Sequence, residues 1–303
     1  MYLSMVVFEE CLAEYHPRMT GHSDLIKIKF MGVQEAMEGQ EYLPDHMLLE
    51  HVEYFVSHPV PAAWGCLCIG EPPEDLFKNN ICLIFPENTD RTSLYHDVQK
   101  IFFLYNSWEM EIRKAMQRNA TLEEMCNLCI PIFEKPIFIH DRNNELLAIA
   151  NEMAGQFSWQ YDETFDKYYL PLEILNTFKS SDEYHKTLHT YGAHVFSAKA
   201  TGYRTLYVNL RIEWVYVGRV CLDEIGTPIR KRDYELLEFF ADNIALAMQQ
   251  GMLLVSDASN VLSILFKGMI DGKSYTKNQL AKPFSYYKWH IDDMFQCITI
   301  FCR

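Results

Sequence analysis

At 303 residues the chain is too long for one comfortable core, so two or three domains are expected. About half of it (49%) is apolar, and no stretch is polar or repetitive enough to stay disordered. The formal charge of −14, from 27 basic and 41 acidic residues, repels phosphate backbones and argues against nucleic-acid binding through these residues. The densest basic cluster, Arg230-Lys231-Arg232, stands beside Asp233 and Glu235 and reads as a solvated helix entrance. Nine cysteines are scattered without the spacing of a disulfide scaffold. Several (Cys11, Cys68, Cys82, Cys221, Cys297) sit in apolar surroundings, as small hydrophobes do in a reduced chain. Glu9 and Glu10 interrupt the first apolar run, no run reaches membrane-spanning length, and a cytoplasmic location without membrane contact is expected.

In chain order, Leu3, Val7, Cys11, Leu12 and Tyr15 mark a short amphipathic helix (1–20) ended by His16-Pro17. Residues 21–92 read as a small α/β domain. Its alternating Leu25–Phe30 predicts a half-buried strand, Met47–Phe55 a helix, and Ala63–Ile69 and Asn80–Phe85 two strands. Gly65 and Gly70 have phosphate-loop spacing, but Glu71-Pro72 stands where a Lys-Ser/Thr pair is needed. A long connecting helix follows (93–120), with Leu94, Val98, Ile101, Phe102, Tyr105, Trp108, Ile112 and Met116 on one broad face. Such a helix either packs as core or pairs with its copy in a homodimer.

The central stretch, 121–251, opens with a capping box, Thr121 with Glu124, ahead of Leu122, Met125, Leu128 and Cys129 at helical spacing. Pro131 is expected to kink this helix. Pro136 then begins a hairpin, Ile137–Ile139 and Leu146–Ala150, around the turn formers Asp141-Arg142-Asn143-Asn144. Pro171–Thr177 and Asp182–Thr190 read as helical or irregular, and Ala193–Ala198, Thr205–Ile212 and Trp214–Leu222 as strands, the last two joined near Glu213. Thr227-Pro228 signals a final helix with Tyr234, Leu237, Ala241, Ile244 and Met248 buried, ending at Gly251. The fold class is α+β: an antiparallel sheet of GAF/PAS type with helices on one side. The tail, 252–303, predicts helices at Ser259–Met269 and near Gln279–Tyr287 and a strand at Phe295–Phe301, the opening of a third domain.

The chemistry-bearing motifs are sparse. Cys126-x-x-Cys129 lies inside a helix with no second pair and no basic neighbour, so it reads as packing rather than as a zinc or dithiol site. His185 and His189 share a helical face, and His194 follows, but Lys186 stands where a zinc hydrolase needs its glutamate. Neither a nucleophile elbow nor a dinucleotide-binding glycine loop is present, so neither an enzyme nor a cofactor is expected. What remains is a pocket for a small-molecule effector between sheet and loops. Phe138, Phe157, Trp159 and Tyr207 are the candidate walls, and Asn151, His194 and Asn209 the candidate polar anchors.

Several segments resemble PucR/CdaR-type bacterial transcription regulators. Leu104-Tyr105-Asn106-Ser107-Trp108-Glu109 is similar to the end of their N-terminal domain, and Leu122–Asn151 to the opening of their sensor domain. Tyr207-Val208-Asn209-Leu210 with Val217-Gly218-Arg219-Val220 resembles their final sensor strands. Val261–Gly268 followed by Tyr287-Lys288-Trp289 resembles the start of a degenerate GGDEF-like domain. The resemblance implies a cytoplasmic regulator that senses a metabolite and binds DNA through a C-terminal helix-turn-helix, a segment expected to lie beyond these residues. Pro131 departs from the pattern, which normally has an uninterrupted helix there. The competing expectation is a ligand-free dimerisation or protein-interaction module.

Overall fold

The computed structural model describes residues 1–270 except 22, 38, 40 and 164–166, together with 272, 274–277, 280, 284, 289 and 290. The chain divides into two units, Met1–Asn243 and Ile244–Arg303.

The first unit carries two five-stranded sheets. Strand β1 (Leu3–Ser4) leads into α1 (Met5–Cys11), and a 3-10 turn carries the chain to His16, whose left-handed backbone (φ 51°) ends the segment before Pro17. Then come β2 (Arg18–Gly21), β3 (Lys29–Phe30), β4 (Gly32–Glu35), β5 (His46–His51), α2 (Val52–Ser57), β6 (Gly65–Ile69) and β7 (Ile81–Phe85). The first sheet has the order β2-β7-β6-β5-β4, with β4 to β7 mutually parallel and β2 antiparallel on one edge. Both faces of its central strands are covered, so β6 and β7 are buried at every position, as expected of parallel strands. Leu48, Cys66, Cys68, Cys82 and Ile84 form one core with Phe55 and Phe77, while α1 and α3 (Arg91–Gln117) pack on this sheet as well.

Two expectations are corrected here. Leu25–Phe30 is a 3-10 turn at Ser23–Lys27 followed by a two-residue strand. Ile26 is exposed, so the alternating pattern had no core to face. Met47–Phe55 is β5 followed by α2, because Met47, Leu48 and Leu49 are buried together in an inner parallel strand, and a continuous apolar run has no period to tell strand from helix. Helix α3 begins two residues early, its first turn capped by Asp90, which accepts from the Ser93 amide at 2.8 Å. Seven of its eight predicted stripe residues are buried, and Ala115 takes the place of Met116.

The capping box forms as expected: the Glu124 amide donates to Thr121 Oγ1 (3.1 Å) and the Thr121 amide to Glu124 (2.9 Å). It starts α4 (Leu122–Asn127), and Pro131 falls in the first turn of a separate helix, α5 (Ile130–Phe133), where its missing amide goes unneeded. The break at Pro131 therefore divides two short helices rather than bending one. Then follow β8 (Ile137–Asp141), β9 (Leu146–Ala150), β10 (Gln160–Asp162), β11 (Lys167–Tyr169), α6 (Leu172–Lys179), α7 (Asp182–Thr187), β12 (Ala193–Phe196), β13 (Thr205–Ile212) and β14 (Val215–Asp223). The second sheet is antiparallel throughout, in the order β12-β13-β14-β8-β9. Glu213 and Trp214 both take positive φ (49° and 71°), a two-residue hairpin turn matched to strand twist, so Trp214 belongs to the turn and is exposed. Helix α4 packs on β8 and β9, whereas α7 packs on β12 and reaches the cavity-bearing face through Tyr184 and Thr187. The expected α+β class holds: a small α/β sheet, a long helix, then a GAF/PAS-like antiparallel sheet with flanking helices.

Helix α8 (Lys231–Ile270) is continuous, so neither the stop at Gly251 nor a separate helix from Ser259 exists. A glycine inside a helix costs only about 1 kcal/mol relative to alanine and does not by itself end one. The buried residues near its start are Leu236, Leu237, Phe240 and Ala241, while Tyr234 turns outward. Within the second unit, Phe266, Phe284 and Trp289 form an aromatic group with centroids 6.0 to 6.4 Å apart. The helix expected near Gln279 lies largely, and the strand Phe295–Phe301 wholly, outside the described residues.

Candidate functional site

The antiparallel register decides which side chains share a face of the second sheet. Phe138, Cys221, Tyr207 and His194 lie side by side across four strands, and His140, Arg219 and Asn209 form the next row. Two residues along each strand is one full pleat, so both rows face the same way. Thr205 and Asp223 make the row beyond. Over this face lies the chain between β9 and β12, including Phe157, Leu170, Phe178 and Tyr184. Between sheet and cover is a cavity of about 40 Å³. That holds a few waters, or a ligand of a few heavy atoms, at roughly 10–15 Å³ per water.

Its walls are mainly aromatic. Phe138 meets Phe157 and Trp159 edge-on at 6.2 and 5.3 Å, and Phe178 stacks on Tyr184 at 4.4 Å with Phe196 edge-on at 5.3 Å. Among the polar lining residues, which include His140, Thr201 and Thr205, the cation is Arg219, 5% exposed. Its Nε donates to Asn209 Oδ1 (2.9 Å) and its Nη2 to Thr187 Oγ1 (2.7 Å). The guanidinium carbon lies 4.6 Å from the ring centre of Tyr207 and 5.2 Å from that of Tyr184. Opposite stands His140, whose Nδ1 donates to the Asp141 carbonyl (2.8 Å). Burial, and then the neighbouring Arg219 charge, pull its pKa down to about 4, so it is neutral at pH 7. Cys221 is raised by burial and stays a thiol. At the far end Asp223 accepts from Thr205 Oγ1 (2.8 Å) and Gln156 Nε2 (2.9 Å), and burial raises its carboxyl to about 6 despite these bonds.

The six predicted ligand residues divide. Phe138 and Tyr207 line the cavity, as does Phe157. Trp159 packs behind Phe138 with its indole Nε1 buried and without a hydrogen-bond partner among the described residues. Asn209 stands in the row but is committed to the protein: its amide also donates to the carbonyls of Thr187 (2.7 Å) and Thr190 (3.0 Å). His194 shares the face yet is exposed, its Nε2 donating to the Tyr191 carbonyl (3.0 Å). Asn151 lies outside the cavity lining, in a left-handed turn after β9 (φ 58°). The lining residues missed include Arg219, His140, Tyr184, Phe178 and Phe196. Arg219 had a signal: a cation inside the strand run Val217–Leu222, in phase with Cys221 and Asp223.

The other motifs fall into packing. Cys126 and Cys129 are buried, and burial pushes the Cys126 thiol up to about 12, far from a reactive thiolate. His185 Nε2 donates to the Lys179 carbonyl (3.1 Å). Among the described residues no group of three His, Cys, Asp or Glu side chains is placed to hold a metal ion, and no helix is long and apolar enough to cross a membrane.

No family model matches the chain, and no curated protein matches it. Among solved structures it is similar to the cofactor-binding GAF domain of the nutrient sensor CodY from Clostridium difficile, at 12% identity over 48% of this chain and 97% of that one, with a TM-score of 0.34. It is similar to the phycoerythrobilin-bound GAF domain from a cyanobacterial phytochrome, at 10% identity over 49% and 96%, with a TM-score of 0.37. It is also similar to a type II free methionine-R-sulfoxide reductase from Thermoplasma acidophilum, at 17% identity over 46% and 94%, with a TM-score of 0.26.

Proposed function

We propose that the second sheet and its cover form a sensor for a small-molecule effector, and that the protein acts by binding rather than by catalysis. The observation carrying this reading is the cavity itself: aromatic walls around one buried cation, between a sheet and the chain that covers it. A route outward exists along β8. This strand holds His140 in the cavity wall, and just before its first residue Lys135 donates to Asp233 (2.9 Å) in the first turn of α8. Arg230 donates to the carbonyls of Ile132 and Phe133, and Trp108 of α3 touches both Phe133 and Phe239. A ligand that shifts β8 therefore acts on the start of α8 and on α3 together.

In this reading the chain is the sensory portion of a cytoplasmic PucR/CdaR-type transcription regulator that works as a homodimer, with DNA contacted by residues other than these. The test is a thermal-shift screen of purines, sugar acids, amino acids and short carboxylic acids on the full chain. A ligand that binds only the folded state must raise its unfolding temperature. If no compound does so, the sensor reading fails. The smallness of the cavity favours a second reading, a ligand-free dimerisation module, for which α3 offers exposed Phe103, Leu104 and Met110. Light scattering of the ligand-free chain at high concentration tests it: a monomer rules it out.

A further inference from the structure

We propose that the cavity takes a short monocarboxylic acid, its carboxylate paired with the guanidinium of Arg219 and its hydrocarbon part lying against Phe138, Phe178 and Phe196. The proposal deepens the sensor reading and rests on it. Its starting point is an imbalance of charge. Arg219 is buried, lines the cavity, and has no carboxylate within ion-pair distance among the described residues. Buried charges are ordinarily paired, because leaving water costs several kcal/mol per ion. Here the partners are Asn209, Thr187 and the rings of Tyr184, Tyr207 and Tyr216, all uncharged acceptors or π faces. Nε and Nη2 are occupied by these bonds, whereas Nη1 has no hydrogen-bond partner among the described residues. A guanidinium in the wall of a small cavity, with two of its nitrogens held and the third without a hydrogen-bond partner among the described residues, is a prepared half of an arginine–carboxylate pair.

The remaining chemistry narrows the anion. His140 is neutral beside Arg219, so the site supplies one positive charge and suits a monoanion better than a phosphate dianion. The walls are apolar, which favours an acid with a hydrocarbon tail over an inorganic ion. The volume admits only a compact molecule, which sets aside nucleotides and sugar acids. A ligand ammonium group would meet Arg219 as a like charge, so a plain acid fits better than an amino acid.

Calorimetric titration of the full chain at pH 7 with acetate, propionate and isobutyrate, against acetamide, propionamide and isobutyramide, tests the charge directly. Each amide keeps the shape of its acid, loses the charge, and presents an N–H donor in place of one acceptor oxygen. At least one acid is expected to bind roughly ten- to hundredfold more tightly than its amide, the range for one charge-assisted hydrogen bond. Arg219→Gln should erase that preference while Arg219→Lys keeps part of it, circular dichroism confirming that each folds. If the variants do not fold, the acid–amide comparison in the parent chain still decides. Equal binding of acid and amide overturns the carboxylate assignment but leaves the sensor reading standing. So does tighter binding of inorganic phosphate than of any acid, or binding in the broad screen by neutral compounds alone. Silence of every compound in both experiments overturns both.

Discussion

Asp223 and His140 sit on the same sheet face with pKa values displaced in opposite senses, and their opposition gives a measurable pH dependence. Asp223 is fully buried, with its folded pKa raised from 3.8 to about 6 by desolvation. A carboxyl raised in this way contributes stability that is fully present below 3.8 and lost as the pH rises through about 6. The full displacement corresponds to roughly 3 kcal/mol, of which about 1 kcal/mol is lost between pH 5 and pH 7. His140 runs the other way. Its folded pKa is lowered from 6.5 to about 4, so its contribution is present above 6.5 and lost as the pH falls through about 4. On going from pH 7 to pH 5 it removes about 2 kcal/mol. In the parent chain the two largely offset each other over this interval. Asp223→Asn abolishes one of them, and Gln156, whose amide oxygen is buried without a partner, can turn that oxygen towards the new amide. Urea unfolding should be followed at pH 5, 6 and 7 for parent and variant under identical conditions, so that all other titrations cancel in the difference. The variant's stability relative to the parent should fall by about 1 kcal/mol from pH 7 to pH 5. A difference that stays constant with pH, or rises towards pH 5, would falsify the assignment of a raised pKa to Asp223.

Two further outcomes follow from buried contacts. Lys135→Met leaves the Asp233 carboxylate buried without its ammonium partner, and should cost about 3 kcal/mol in a urea titration. Adding Asp233→Asn should recover part of this, because an amide oxygen can still accept from the Arg230 amide; no recovery would mean that lost lysine packing, not charge, sets the cost. Gly218→Ala would place a methyl 2.2 Å from the His140 carbonyl oxygen, forcing β14 from β8 at an overpacking cost of about 1–3 kcal/mol. An unchanged unfolding temperature for that variant would show that the strands separate there without penalty.

Much of the second sheet was legible in the sequence because its signals are local. The capping box, the Asp141–Asn144 turn and the Glu213 turn each fix a boundary within a few residues, and Pro131 and Pro136 mark changes of direction. The first sheet was harder. Its β5 is apolar on consecutive positions because both faces are covered, and helix and strand then look alike. Gly251 misled because a glycine is a stop only when the flanking residues do not sustain the helix. The cavity was half legible: alternation placed Phe138, Tyr207, Asn209 and His194 on one face. Which of them remains free for a ligand depends on contacts from residues 151–204, and these are long-range. Asn209 is consumed by Thr187 and Thr190, and only the register shows that Arg219 stands between Asn209 and His140.

The first helix bears on how the chain reaches this state. Glu10 accepts from the amides of Lys231 (2.8 Å) and Arg232 (3.0 Å), and the Ser4 amide donates to Glu235 (3.1 Å). These bonds close loops of 221 to 231 residues, among the most non-local contacts the unit makes. On a ribosome adding about 5–20 residues per second, Ser4 and Glu10 wait roughly ten to fifty seconds for their partners at Lys231–Glu235. During that wait the apolar side of α1, with Met5, Val7 and Phe8, has the neighbouring parallel strands to rest on, but not the start of α8. Completion of the first unit therefore waits for synthesis of the start of α8, and until then this face of α1 lacks its partners.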